Sequence, residues 1–182
     1  MKKILAMLLA ITMCISITAC GGGGNAKIGE TYTNDYGIEF TLNYVEFTDA
    51  MDNLGGANDT YWMPASKVER TTHLEKLVAP LSSDDMFCVV SYTAKNTSKH
   101  DRTVDEIGTI DFDNGYTYSE GGLSYRVSPT GVWSDIPNGL TLQKLKENSY
   151  EFRAFIVVPK VVVEETDKPL TYELYGETFN LR

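Results

Sequence analysis

The sequence predicts an all-β protein, an antiparallel sandwich of about seven or eight short strands. Three observations carry this. Apolar and polar residues alternate at period two through most of the chain, clusters of Gly, Pro, Asn, Asp and Ser separate the alternating segments, and no internal repeat or heptad run is present.

The first nineteen residues stand apart from that pattern. Lys2 and Lys3 precede an apolar run from Ile4 to Thr18, and Ala19-Cys20 follows. A basic start, a hydrophobic middle and a small-residue cut describe a secretory signal peptide. The run of about fifteen residues is short of the ~20 that a membrane-crossing helix needs. Ile17-Thr18-Ala19-Cys20 resembles the bacterial lipobox, in which the cysteine receives diacylglycerol before signal peptidase II cuts. The expected organisation is therefore a cleaved signal at 1–19, a lipid-bearing Cys20 opening a Gly-rich tether at 20–26, and one domain at 27–182. Gly21 to Gly24 behave as flexible coil. Cleavage removes Lys2 and Lys3 and no acidic residue, so the formal charge passes from −9 to −11. Such a surface repels nucleic acid and anionic headgroups, which excludes nucleic acid as the expected partner.

Within the domain, Glu30 to Thr33 and Ile38 to Thr48 read as strands joined by a turn at Asn34-Asp35-Tyr36-Gly37. Ile38, Phe40, Leu42 and Tyr44 share one parity, then Val45 and Phe47 take the other, which predicts a bulge near Tyr44 or a change of sheet. Residues 49–83 are irregular. Ser66-Lys67-Val68-Glu69 has capping-box spacing, and Leu74, Leu77 and Val78 suggest a short helix before Pro80, inside an insertion at 60–80. Met86 to Lys95 is the next strand, with Cys88, Val90 and Tyr92 pointing inward. Cys14 leaves with the signal and Cys20 is acylated, so Cys88 has no disulfide partner and reads as a small buried hydrophobe.

A strand from Arg102 to Phe112 meets Asp113-Asn114-Gly115, where Asn and Gly tolerate the positive φ of a type I′ turn, and Tyr116 to Glu120 returns beside it. Residues 121–139 read as a long surface connection. Leu140 to Leu145, Tyr150 to Val158, Leu170 to Leu174 and a last segment with Phe179 and Leu181 complete the strands.

Several segments together resemble a known family. They are Ile28-Gly29-Glu30, Tyr36 to Phe40, Phe87 to Val90 running into Lys95-Asn96-Thr97-Ser98, Ile110 to Tyr118, and Glu147-Asn148-Ser149 before Tyr150-Glu151-Phe152. The chain is similar over about residues 27–182 to the immunoglobulin-like domains of unknown function found in lipoproteins of Gram-positive bacteria, related in fold to a small secreted mycobacterial antigen. The resemblance implies an immunoglobulin-like sandwich and brings no catalytic motif. The family's common Pro-Gly before the later strand is Lys146-Glu147-Asn148 here, and the paired cysteines and tryptophan of antibody domains are absent.

The chain contains no Gly-x-Ser-x-Gly elbow, Walker loop, His-Glu-x-x-His or Gly-x-Gly-x-x-Gly. His73 and His100 fall in expected loop or frayed helix, and Cys88 on a strand is ill placed to use His100 as a base. Asp111 to Gly115 departs from calcium-loop spacing, although a site using Asp111, Asp113 or the 52–59 loop stays open. No cofactor and no catalytic residue are expected. Tyr61, Trp62, Tyr125 and Trp133 lie outside the clear strands, where sandwich loops commonly bind peptides, glycans or proteins; the competing reading is that both tryptophans cap the core.

The expected function is that of a lipid-anchored, non-enzymatic binding, adhesion or accessory module on the outer face of the membrane, with a protein or glycan of the envelope as ligand. The alternative is an envelope-acting hydrolase using loop carboxylates among Asp52, Asp59, Glu69, Asp84 and Asp85. A transporter's substrate-binding lipoprotein is excluded, because those are larger two-lobed α/β chains.

Overall fold

Cys88, Val90, Tyr92 and Ala94 do share one side of a strand, and all four are buried. That strand runs through the middle of the fold. The computed structural model describes residues 25–53, 62–64, 76–78, 82–127, 133–136, 138–144 and 148–182. Numbered in chain order, six strands form the larger sheet, arranged β12 (Ser134–Asp135), β11 (Gly121–Arg126), β14 (Tyr150–Pro159), β7 (Asp85–Asn96), β3 (Ile38–Thr48) and β2 (Thr31–Thr33), every neighbour antiparallel. Five form the second, arranged β1 (Asn25–Ala26), β16 (Glu177–Asn180), β15 (Leu170–Leu174), β9 (Thr109–Phe112) and β10 (Tyr116–Tyr118). β1 alone runs parallel to its neighbour.

The two sheets bury their alternating faces against each other. Ile38, Phe40, Leu42, Val90, Phe152 and Ile156 from one meet Ile110, Phe112, Tyr172, Leu174 and Phe179 from the other in one continuous core. Rings cross between the layers, Tyr32 edge-on to Phe179 at 5.8 Å and Phe40 tilted on Tyr175 at 5.0 Å. Burial of this kind is the main source of stability where the described residues hold no disulfide.

The parity change in β3 is a bulge. Leu42 pairs with Tyr92 and Tyr44 with Ser91, leaving Asn43 as the extra residue, after which Val45 and Phe47 pack on the core. β3 stays paired with β7 throughout, so it does not change sheets. The displaced Tyr44 joins Phe87, Val89, Phe155, Val157 and the fully buried Met51 on the outer face of the six-stranded sheet.

Other expectations are corrected. The described residues contain sixteen strands rather than seven or eight, because several are fragments of two or three residues. Asn25–Ala26, assigned above to the tether, is strand β1, with Ala26 buried. Lys76–Val78, expected in a helix, is extended as β6, which with β5 (Trp62–Pro64) flanks β4 (Met51–Asn53) in a three-stranded sheet. A pair of adjacent apolar residues fits either period, and strand pairing to β4 satisfies the backbone here. The remainder of the expected helix, Ser66 to Leu74, lies outside the described residues. One helical turn, α1 (Val161–Glu164), forms where none was expected.

The single strand expected from Arg102 to Phe112 is two. β8 (Arg102–Val104) pairs with β13 (Leu140–Leu142), and residues 105–108 separate it from β9. Gly108, at φ +76°, turns the chain there, and a Cβ on it would lie 2.3 Å from the Tyr172 hydroxyl. The hairpin after β9 forms as expected, but Asp113 and Asn114 hold the positive φ rather than Asn114 and Gly115. Lys168 Nζ on Asp113 Oδ2 at 3.0 Å and the Asp113 N–H on the Pro169 carbonyl secure that arrangement.

Residues 121–126, read above as loop, are β11, paired along its full length with β14. Glycine hides it. A Cβ on Gly121 would lie 1.7 Å from the Phe155 carbonyl oxygen, so here Gly permits close strand approach rather than a turn.

Candidate functional site: an acidic cleft at one end of the sandwich

Three chain reversals meet at one end of the fold. The first is Asn34 to Gly37 between β2 and β3, where Asn34 Oδ1 accepts the N–H groups of Tyr36 (3.1 Å) and Ile38 (2.9 Å) and Gly37 adopts φ +78°. The second is the two-residue turn Tyr175-Gly176 between β15 and β16, both at positive φ. The third is the 105–108 link between β8 and β9. Between them lies a cleft of about 370 Å³ whose lining includes Asp35, Glu106, Glu173 and Glu177 with the rings of Tyr36 and Tyr175. Among the described residues, no lysine, arginine or histidine lines it.

The core holds the walls in place. The buried Tyr92 hydroxyl donates to the Glu106 carbonyl at 2.7 Å, and the buried Tyr172 hydroxyl donates to the Ile107 carbonyl at 2.9 Å. Each satisfies a backbone acceptor that strand pairing leaves over in the 105–108 link. Burial pushes both hydroxyls well above the usual tyrosine range, and burial likewise raises that of Tyr175. They remain neutral donors at any physiological pH. At the rim, Tyr36 is 66% exposed, with the Arg102 guanidinium 5.7 Å from its ring centre and Arg102 Nε donating to its carbonyl.

Four carboxylates around one small volume focus negative potential and attract a ligand carrying more than one positive charge. None of the four is buried, whereas a carboxyl that donates a proton near neutrality is held protonated by an apolar enclosure.

The residues singled out from sequence are elsewhere and are not brought together. Trp133 is 1% exposed, sandwiched on the outer face of the six-stranded sheet between Arg153 (4.1 Å from guanidinium carbon to ring centre) and Arg126 (4.6 Å). Arg126 in turn pairs with Glu151 at 2.6 Å. Tyr125 is not in a loop but in β11, half-buried against Tyr150 and Phe152. Trp133 is therefore neither an exposed binding aromatic nor a cap on an open end of the core; it is buried on the outer face of a sheet. Cys20, Tyr61, Asp59, Glu69 and His73 lie outside the described residues, as does the Trp62 side chain. Asp84 and Asp85 sit at the opposite end from the cleft, where Asp85 pairs with Pro159. His100 is exposed, and Cys88 is fully buried, its thiol pushed up by that burial and so unsuited to nucleophilic work. Asp113 is committed to Lys168, and no group of three or more potential metal ligands occurs among the described residues.

The cleft carboxylates escaped sequence reasoning because they come from three reversals spread from residue 35 to residue 177. Only Asp35, inside a recognisable turn, carried any local signal.

No family model matches the chain, and no curated protein matches it in sequence. Among solved structures, an uncharacterized β-sandwich protein from Clostridium difficile 630 matches over 90% of this chain and 98% of its own, with a TM-score of 0.55 and 19% identity. That likeness concerns fold alone, and with the topology above it makes the chain an all-β sandwich.

Proposed function

We propose that this chain is a lipid-anchored, non-enzymatic binding module on the outer face of a Gram-positive cytoplasmic membrane, one of the immunoglobulin-like lipoprotein domains its sequence resembles, and that its acidic cleft takes a cationic ligand of the envelope. The observation that carries the binding role is the cleft itself, four carboxylates with no basic side chain among the described residues of its lining. The anchor rests on Ile17-Thr18-Ala19-Cys20. A β-sandwich neighbour from a Gram-positive bacterium supports the sandwich fold that the resemblance implies.

A fatty-acid probe tests the anchor. Two acyl chains hold a protein on a membrane where one does so only marginally. The wild type is expected to take up label and partition into detergent, and Cys20→Ser to remain an unlabelled precursor. A soluble, unlabelled wild type, cut elsewhere, overturns the anchor.

Fluorescent pentalysine tests the cleft. Binding is expected to weaken about tenfold or more, 1.4 kcal/mol per decade, in the triple variant Glu106→Gln, Glu173→Gln, Glu177→Gln, and to fall steeply with salt. The control removes the same charge from exposed positions at the far end, Glu164→Gln, Glu165→Gln, Asp167→Asn. Equal losses in both triples would reduce the attraction to net charge and overturn the cleft as a site.

The hydrolase reading gains one observation, carboxylates sharing a groove, although none of them is among Asp52, Asp59, Glu69, Asp84 and Asp85. Glycosidases pair an ionised carboxylate with a protonated one, and the exposure of the cleft carboxylates, none of which is buried, favours binding over turnover.

A further inference from the structure

The one parallel pairing in the two main sheets decides where the chain enters the fold. Asn25 lies beside Thr178 and Ala26 beside Phe179, both strands running the same way. β1 therefore begins beside the start of β16, next to Glu177 and the Tyr175-Gly176 turn. Those residues line the acidic cleft. The chain thus enters at the cleft end.

The rest of the topology shows what lies at the other end. β7 runs the length of the sandwich, pairing Asn96 with Ile38 at the cleft end and Asp85 with Pro159 at the far end. At ~3.3 Å per residue its twelve residues span about 40 Å. The Asp113-Asn114 hairpin, α1 and the 165–169 segment all sit at the far end, since Leu170 pairs with Phe112 while Glu173 pairs with Thr109. From Cys20 to Asn25 the chain can extend at most about 18 Å.

We infer that the anchored protein stands end-on, with its cleft end against the outer leaflet and the Asp113-Asn114 end pointing about 40 Å into the envelope. The inference rests on the lipid anchor at Cys20 proposed above. Two effects act together. The tether joins at one end and is short relative to the domain, so the cleft end stays within its reach. The mature chain's formal charge of −11, four of its carboxylates at the cleft end, is repelled by an anionic bilayer in either posture, but standing end-on brings less of the surface within a Debye length of ~8 Å than lying flat does. The cleft then opens beside the headgroups, so whatever occupies it is held at the bilayer surface.

Energy transfer from a protein-borne fluorophore to rhodamine headgroups reads this directly. The full lipidated protein is reconstituted in vesicles of phosphatidylglycerol and phosphatidylcholine, labelled at Asp35→Cys or at Asp167→Cys. Both positions are exposed, both substitutions remove one carboxylate, and the fully buried Cys88 stays silent. Transfer is expected to be high from position 35 and several-fold lower from position 167. Inserting ten Gly-Ser residues after Gly24 is expected to lower transfer from position 35 and shrink the contrast. A protein that carries fatty-acid label yet transfers equally from both positions, or more from 167, overturns the orientation and leaves the anchor standing. A protein without fatty-acid label overturns the anchor, and the orientation with it.

Discussion

Phe152→Ala is expected to remove about 3–5 kcal/mol of stability, the usual cost of deleting a buried ring and leaving its cavity. Phe152 sits in the centre of β14, fully buried, stacked on Tyr92 with ring centres 5.1 Å apart and planes within 10°, with Tyr125 tilted at 6.4 Å. Tyr92 is also the donor that holds the Glu106 carbonyl, so the cavity opens under the 105–108 link. Against a typical total of ~5–15 kcal/mol this is a large share. At ~2–4 °C per kcal/mol for a domain of this size, the melting temperature is expected to fall by about 10 °C. Thermal unfolding followed by circular dichroism checks it, and a loss below about 1 kcal/mol would contradict the ring's place between the sheets.

Trp133→Ala is expected to cost a similar ~3–5 kcal/mol while leaving pentalysine affinity within about twofold of wild type. The ring is buried between two guanidiniums, contacts worth about 0.5–2 kcal/mol each where water is excluded. Its removal exposes the buried Arg153, whose guanidinium pKa burial already lowers, to a cavity on the outer face of the six-stranded sheet. That face is separate from the end where the cleft opens, which is why stability and binding should part company. Guanidinium unfolding and pentalysine anisotropy on the same preparation measure both. Unchanged stability with lost binding would return Trp133 to the role of an exposed ligand platform.

Period two made the sandwich legible because an antiparallel strand with one face on the core must alternate, as β3 and β15 do in sequence along with residues 91–96 of β7 and 150–154 of β14. The bulge in β3 was legible for the same reason, since an extra residue inverts the parity of every side chain after it. The inward direction of Cys88 followed from its neighbours alone. Strands written in glycine were not legible. Gly121 and Gly122 look like loop residues until the Phe155 backbone is placed against them. The burial of Trp133 depends on Arg153, twenty residues on, arriving beneath it from a neighbouring strand.

By itself the sequence determined the cysteine count, the charge and the alternation that makes a sandwich, all of which are local or additive properties of the chain. Only the tertiary structure decided that Asp35, Glu106, Glu173 and Glu177 share one cleft and that the chain enters beside them. Strand order and direction bring distant reversals to a common end, and no spacing along the sequence encodes that.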